Sequence, residues 1–350
     1  MTKKSNPIED CFFCCKYEEK SVETIDFSTE KFYNKDNDVR RLKMGYLFVA
    51  LALLSGGIKS FCGKKISGKT PTIKNAILTN FVRMLFCIVF GFLFVAAIDG
   101  VSALKMDSMA ILLALGGSVA TCVFLVSWLL AMRKNAYMTV EAFVLASMLV
   151  PVLLKLAIYG EKVGIFQWIG LAILLFSVWL MSIYNNQTKG KLTAVGLALL
   201  LVVCLGNGLN SFTQNVFKTE FASLSAAAFN FYVYVFSAVL LGVTFLCIKE
   251  KPSVEETTKT SAELNEKEPL FDRTKLIFIA IMAICLFCNS YFVTLANGYL
   301  PAVKLNPLLN VSALLVGLFI SVTFFKEKLK TVSVIGISLM VLGVIFINVL

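Results

Sequence analysis

The sequence predicts an all-α integral membrane protein in which ten transmembrane helices form two inverted five-helix repeats. Three observations support this prediction: the composition, ten apolar runs of membrane length, and a short motif that occurs twice. The chain has 350 residues, of which 58% are hydrophobic and 16% charged, whereas soluble domains average about 45–50% apolar and about 25% charged residues. A single soluble core cannot bury this much apolar surface.

Each of the ten apolar runs is about long enough for a helix to cross a ~30 Å hydrocarbon layer. None alternates strictly between apolar and polar residues, as a transmembrane β-strand does. The connections are short except for residues 249–275, which are rich in Lys, Glu, Thr and Ser and are expected to form a mobile, solvated loop. The predicted helices cover roughly residues 45–61, 76–97, 109–132, 136–159, 163–184, 192–217, 222–248, 276–296, 302–325 and 331–350.

The repeated motif has a constant offset along the chain. Glu161-Lys162-Val163 begins one apolar run and Glu327-Lys328-Leu329 begins another, and an Ile-Gly pair follows each, at 169–170 and at 335–336. The differences 327 − 161 and 336 − 170 are both 166. Coincidence between two apolar segments is the alternative to a duplication. Because each repeat has an odd number of helices, a duplication would place the halves in opposite orientations, as in many secondary transporters.

The motif and the runs predict the domain organisation. The first five-helix repeat covers residues 44–184 and the second covers residues 192–350. Residues 1–43 form a polar tail that is expected to be disordered and that lacks the 7–15-residue apolar core of a signal peptide. Met44 stands directly before the first apolar run, so a translation start at Met44 is an alternative that would leave the tail untranslated.

The net charge is +11, and the chain contains no His. Its basic residues lie between apolar runs and not in a patch with aromatic residues, so we expect no nucleic-acid partner and interpret them as loop charges that set orientation. The expected partners are a lipid bilayer and a small-molecule substrate, with a homodimer left open. No cofactor or metal ion is expected, because Cys285 and Cys288 have metal-like spacing but no second pair of ligands nearby.

Each half has a Glu-Lys turn before its fifth helix and an Ile-Gly pair early in that helix. In this pattern the chain resembles the drug/metabolite transporter (DMT) superfamily, and in particular its ten-helix EamA-type members. The resemblance covers Met44 to Leu350, and Arg83 in the second run also fits it. It implies a cell (plasma) membrane transporter with both termini in the cytoplasm. The distribution of Lys and Arg among the loops instead favours both termini outside, so the side remains open.

A weaker likeness links the chain to the nucleotide-sugar transporter branch of that superfamily. It depends on the segment Asn215-Val-Phe-Lys218, on Asn230 and Tyr232 in the seventh run, and on Lys304 at the start of the ninth. This likeness implies that these residues contribute to substrate binding.

Polar residues inside the apolar runs are the candidate site, because polar groups are costly in a bilayer. Asn207, Asn210, Gln214 and Lys218 are spaced by three, four and four residues, which places them on one face of a helix. They are interpreted either as a substrate-binding stripe or as hydrogen-bonding contacts between helices.

Three charged residues are further candidates. Glu141 is the only acid well inside a run, and without a His it is the candidate carrier of a coupled proton; a Glu favoured by the helix dipole is the alternative. Arg83 is expected to bind a carboxylate or phosphate, or to pair with Glu141. Lys304 is expected to contact an anionic substrate or to reach the membrane surface. Lys59 and Lys155 are expected to reach the membrane surface. The remaining candidate substrate-binding residues are Asn230, Tyr232 and Asn310.

These features favour a secondary active transporter that moves a small organic metabolite by alternating access between the repeats. An antiporter for nucleotide sugars or other phosphorylated anions is the first alternative. A structural or enzymatic membrane protein is the second, although no acid/base pair, metal set or Walker-type loop is present to indicate an enzyme or an ATP-driven pump.

Overall fold

The computed structural model describes residues 29–68, 70, 72–160, 164–188, 192–248, 272–300, 302–325 and 331–349. No strand occurs among these residues, which form α-helices and one short 3-10 helix, Val101–Leu104. The helices are α1 (Thr29–Ser67), α2 (Ile73–Ile98), α3 (Ser108–Lys134), α4 (Tyr137–Ala146), α5 (Leu149–Tyr159), α6 (Ile165–Thr188), α7 (Ala194–Glu220), α8 (Ala226–Cys247), α9 (Arg273–Ala296), α10 (Ala302–Phe324) and α11 (Thr331–Val349).

Two helices begin earlier than the sequence predicts. Helix α1 begins at Thr29, so residues 29–43 of the predicted disordered tail are helical; this segment contains no Pro or Gly and several good helix formers. Helix α9 begins at Arg273, within the predicted loop 249–275, directly after Asp272, whose charge suits a helix N-terminus. Residues 1–28 and 249–271, and both Glu-Lys turns of the repeated motif, lie outside the described residues.

The chain divides into two compact units, residues 1–40 and residues 41–350, and the helix packing and the cavity described below belong to the second unit. Seven helical segments of that unit are long and apolar enough to cross a membrane, and the other three predicted segments contain shorter apolar helices. Large apolar side chains such as Leu54, Val89 and Trp179 are exposed on the outer faces, as lipid-facing side chains are. The seven segments are Leu42–Ser67, Ile73–Ile98, Ser108–Lys134, Tyr137–Tyr159, Ala194–Glu220, Ala226–Cys247 and Arg273–Ala296.

Side-chain caps set where several helices begin. The hydroxyl of Thr72 accepts a hydrogen bond from the backbone N–H of Asn75 at the start of α2, and Thr193 does the same for Gly196 at the start of α7. Ser225 caps α8 in the same way. Each cap satisfies one of the backbone donors that a helix start leaves unpaired, so the polar connections between apolar runs fix the boundaries of the helices.

The fourth predicted segment is interrupted, and the prediction of one continuous helix over 136–159 is wrong at this point. Helix α4 ends at Ala146 and α5 begins at Leu149, with a turn at Ser147 and Met148 between them. Pro151 explains the break, because proline has no N–H for the carbonyl four residues earlier and its ring clashes with that carbonyl. The hydroxyl of Ser147 donates to the carbonyl of Val144, which compensates locally for the interrupted helix.

Helices of the two halves pack mainly against each other. Helix α3 lies against α7 and α8, α2 lies against α8 and α9, and α4 lies against α10. Gly206 allows a close approach of α7 to α3, since a Cβ atom there would lie 2.8 Å from the backbone nitrogen of Phe124. The core is therefore formed mainly between the halves.

Helices α6 and α11 make a self-complementary contact. A Cβ atom at Gly343 would lie 2.9 Å from the carbonyl oxygen of Gly170, and the hydroxyl of Ser177 donates to the carbonyl of Gly336 at 3.1 Å. The differences 336 − 170 and 343 − 177 are both 166, the offset of the repeated motif. Equivalent positions thus exchange partners, as they do across a twofold axis. Since the contact position falls along α11 as it rises along α6, the two helices are antiparallel.

Candidate functional site

A polar cavity lies among the helices of the second unit. Its volume is ≈ 120 Å³, about four times the ~30 Å³ that one water molecule occupies in the liquid. Seven helices line it: α1, α3 and α4 from the first half of the chain, and α7, α8, α9 and α10 from the second. Because apolar helices surround it, the cavity is a polar site inside a membrane protein, where polar groups are kept for function.

Among the described residues, two that line the cavity are charged, Lys59 from α1 and Glu141 from α4. Glu141 is 6% exposed, and its Oε1 atom has no hydrogen-bond partner among the described residues. Its polar neighbours are Lys59, Ser60 and Tyr137. Lys59 also lies over an aromatic ring, with its Nζ atom 5.9 Å from the ring centroid of Phe124, a cation–π distance.

The prediction that Lys59 reaches the membrane surface is wrong. The apolar run ends at about residue 61, but α1 continues to Ser67, which places Lys59 two turns before the helix end. The residue therefore lies at a depth where it faces other helices. Glu141 interacts electrostatically with Lys59 and not with Arg83, the partner that the sequence suggested as an alternative.

Arg83 lies in α2 behind the cavity wall and does not line the cavity. The side chain is 1% exposed, and its Nε and Nη2 atoms have no hydrogen-bond partner among the described residues. It interacts electrostatically with Tyr234, which does line the cavity. A guanidinium with free donors next to a wall residue gives this side of the cavity a positive potential.

The stripe on α7 faces the cavity at three of its four predicted positions, Asn207, Asn210 and Gln214, whereas Lys218 is not among the described lining residues. The first two also bond to other helices. Asn207 Nδ2 donates to Ser147 Oγ at 2.7 Å, at the α4–α5 break, and Asn210 Oδ1 accepts from Thr121 Oγ1 at 3.0 Å. Gln214 has no side-chain hydrogen bond among the described residues. Asn207 and Asn210 therefore join helices, as one interpretation of the stripe expects, whereas Gln214 makes no such bond to a described residue.

Helices α8 and α9 add four polar residues to the described lining, Asn230, Tyr234, Asn289 and Ser290. Asn230 Nδ2 donates to Ala226 O at 2.8 Å and to Thr294 Oγ1 at 3.2 Å. Tyr234 and Asn289 were not predicted. Their signals in the sequence were weak, because two Tyr residues two positions apart point to different faces of α8, and Asn289 stands alone in its run.

Four predicted residues take other places or cannot be placed. Tyr232 does not line the cavity, and its hydroxyl donates to the carbonyl of Leu104 at 2.7 Å. Lys218 donates to the carbonyl of Leu224 at 3.4 Å, near the end of α7. The side chains of Lys304 and Asn310, both in α10, lie outside the described residues.

The cavity suits non-covalent binding of a small polar solute. No cluster of His, Cys, Asp or Glu that could hold a metal ion occurs within the described ranges. The lining instead combines one ammonium, one carboxylate, a free amide and the aromatic residues Phe124 and Trp128. Such a set can bind a charged group and several hydrogen-bonding groups of one small molecule.

Comparison with known proteins identifies a family. The sequence profile described as the EamA-like transporter family matches the chain twice, over residues 43–183 and over residues 194–349. A comparison with curated proteins finds no significant match.

A crystal structure described only as that of a protein shares the fold. The two chains superpose with a TM-score of 0.59 at 13% sequence identity, over 87% of this chain and 96% of the other. At this level of identity the likeness concerns the fold alone.

Proposed function

Since the chain belongs to the EamA-like transporter family, within the DMT superfamily, we propose that it is a secondary active transporter that moves a small organic metabolite across the membrane by alternating access. The membership confirms the resemblance in the sequence, and the protein is a multi-pass integral membrane protein. The plasma membrane as its location, and the metabolite as its substrate, are parts of the proposal.

The observation that carries the proposal is the cavity between the two halves. Residues from seven helices converge on it, and the helices of one half pack mainly against those of the other. A site at the interface of two repeats can open to either side when one repeat moves against the other. A structural protein has no need of a buried Glu141 with an unsatisfied oxygen.

The contact between α6 and α11 supports ten spans in two inverted repeats. An exchange of equivalent partners indicates a twofold relation, and antiparallel equivalent helices require an axis in the membrane plane. This axis would invert the second half relative to the first, as an odd number of spans per half does. The three shorter apolar helices would then be the fifth, ninth and tenth spans.

Glu141 is the proposed site of proton coupling. It is the only carboxylate among the described residues that line the cavity, and its described neighbours are Lys59, Ser60 and Tyr137. Burial favours the neutral form of a carboxyl and the ammonium opposes this, so movement of Lys59 would change whether Glu141 holds a proton. Proton binding and conformational change would thus be linked.

Transport into proteoliposomes tests the proposal. Solutes that raise the melting temperature of the purified protein would be offered as radiolabelled compounds, with and without a pH gradient. We expect at least one to accumulate, and Glu141→Gln to lose the accumulation driven by the gradient. Glu220→Gln is the matched control, because this carboxylate is exposed at the end of α7. Binding without any uptake or exchange of the bound solutes would contradict transport.

Reporter fusions test the topology. A reporter placed after Leu350 and a second placed in the connection 189–191 should report opposite sides of the membrane if each half has five spans. The same side for both positions would contradict the inverted repeats.

A further inference from the structure

The charges buried around the cavity do not balance. Lys59 and Arg83 are both cations and lie close enough for their charges to interact. Glu141 is the only carboxylate within the helix bundle in the described part of the chain; the other described acids of the second unit stand at helix ends or in connections. When Glu141 is ionised, two positive charges therefore face one negative charge in a region surrounded by apolar helices. Such an excess is costly, and membrane proteins keep it where it has a function.

Arg83 is a buried cation whose side-chain donors are not all satisfied by described residues. Two of its three nitrogen atoms are buried and have no acceptor among the described residues. A buried charged group normally has its donors satisfied, because an unpaired donor retains the full penalty of leaving water. Its neighbour Tyr234 lines the cavity, so an anion in the cavity would lie within the positive potential of this guanidinium.

We propose that the cavity binds a substrate with a single carboxylate and that Lys59 is its direct contact. This inference rests on the proposed transport function and names the substrate class of the same site. Lys59 is the only cation among the described residues of the lining, and with Glu141 ionised one negative charge balances the excess of one positive charge. A phosphorylated anion with two or more charges would reverse the imbalance.

The size of the cavity agrees with a small monocarboxylate. The volume of ≈ 120 Å³ is close to that of an engineered protein cavity of about 150 Å³ that binds benzene, so it suits a solute of a few non-hydrogen atoms. The free amide of Gln214 is available for a hydroxyl, oxo or amino group of the same molecule. An ammonium and a free amide on different helices would fix the orientation of such a substrate.

The intrinsic fluorescence of Trp128 provides the readout. The chain has three Trp residues, and Trp128 lines the cavity at 2% exposure. Trp168 and Trp179 are exposed on α6, so their joint replacement by Phe leaves Trp128 as the only emitter. Two acids would be titrated against their amides, lactate against lactamide and isobutyrate against isobutyramide, with succinate as a dianion of similar size.

We expect the dissociation constant of each acid, measured from the Trp128 emission, to be about tenfold or more below that of its amide. Lys59→Met and Lys59→Gln should abolish this preference, and Lys59→Arg should retain it. Melting temperature and size-exclusion profile would verify that each variant is folded. Equal binding of acids and amides, a preference that persists in Lys59→Met and Lys59→Gln, or tighter binding of succinate than of the monocarboxylates would overturn the proposal.

Uptake by proteoliposomes separates this inference from the proposed function. If monocarboxylates bind through Lys59 but are neither accumulated nor exchanged, the substrate class stands and the transport proposal fails. If only neutral solutes are transported and no acid binds preferentially, transport stands and the inference fails.

Discussion

The two halves of the chain contribute different chemistry to one cavity. In the described lining, both charged residues, Lys59 and Glu141, come from the first half, and the carboxamide side chains all come from the second half. Arg83, behind the wall, also belongs to the first half. Halves that match the same family profile have therefore diverged in side chains while keeping a common fold. The consequence is a polar site without internal symmetry, in which a substrate has one preferred orientation.

Replacement of Arg83 is the strongest test of this comparison. If the charges of the first half serve the ligand and not the fold, Arg83→Met should weaken monocarboxylate binding about tenfold while leaving the melting temperature unchanged or higher. Replacing buried charges by apolar residues of similar volume is often neutral or stabilising by about 1–4 kcal/mol. Arg83→Lys, which keeps the charge, should retain most of the affinity. A large fall in melting temperature for Arg83→Met would assign the residue to the fold.

A methyl group at Gly208 tests whether the second half needs close contact with the first. A Cβ atom there would lie 2.5 Å from Val150 Cβ and 2.6 Å from the carbonyl oxygen of Ser147. Gly208→Ala should therefore destabilise the protein by about 1–3 kcal/mol, because the overpacked site has to shift. Gly116→Ala is the control, since nothing lies within 4 Å of a Cβ atom there. Thermal unfolding in detergent measures both, and equal effects would argue against the close contact.

The amides of α7 should differ from one another. Asn207→Leu removes the 2.7 Å hydrogen bond to Ser147 and should lower stability by about 0.6–1.7 kcal/mol, the range for such bonds between membrane helices. Gln214→Leu removes no bond to a described residue and should weaken ligand binding without loss of stability. Melting temperature and Trp128 titration report the two properties separately. The reverse result would exchange the structural and the ligand-binding roles.

The smallest effect is expected for Tyr232→Phe. The change removes the hydrogen bond to the carbonyl of Leu104, away from the cavity, and should lower stability by about 0.5–1 kcal/mol with unchanged binding. Tyr234→Phe is the matched variant on the other face of α8, where the lost hydroxyl bonds Ser290 in the cavity wall. Altered binding in Tyr232→Phe alone would contradict the assignment of these two faces.

Two features of the sequence made part of the site predictable: the helical spacing of polar residues and the scarcity of acidic residues inside apolar runs. The spacing of Asn207, Asn210 and Gln214 placed them on one face before any packing was known, since the period of a helix is fixed. Glu141 was identifiable because no other acid lies well inside an apolar run. Lys59 was misplaced, because the end of an apolar run is not the end of its helix, and only the neighbouring helices decide which way a long side chain points.

The fold follows the same rule. Apolar length indicated where the helices lie, and Pro151 carried the signal for the break between α4 and α5, although a proline often lies in a membrane helix without ending it. Which helices touch could not be predicted, because contacts between helices depend on small residues such as Gly206 and Gly343, whose partners lie far away in the sequence.

The interruption at Ser147 and Met148 has a consequence for how this site can be dissected. Val144 lines the cavity, and its carbonyl accepts hydrogen bonds from Ser147 and, at 3.5 Å, from Asn207 Nδ2. A main-chain carbonyl next to the cavity thus links the turn to α7. Alanine substitutions remove side chains only, so this acceptor would stay in place in every variant of an alanine scan.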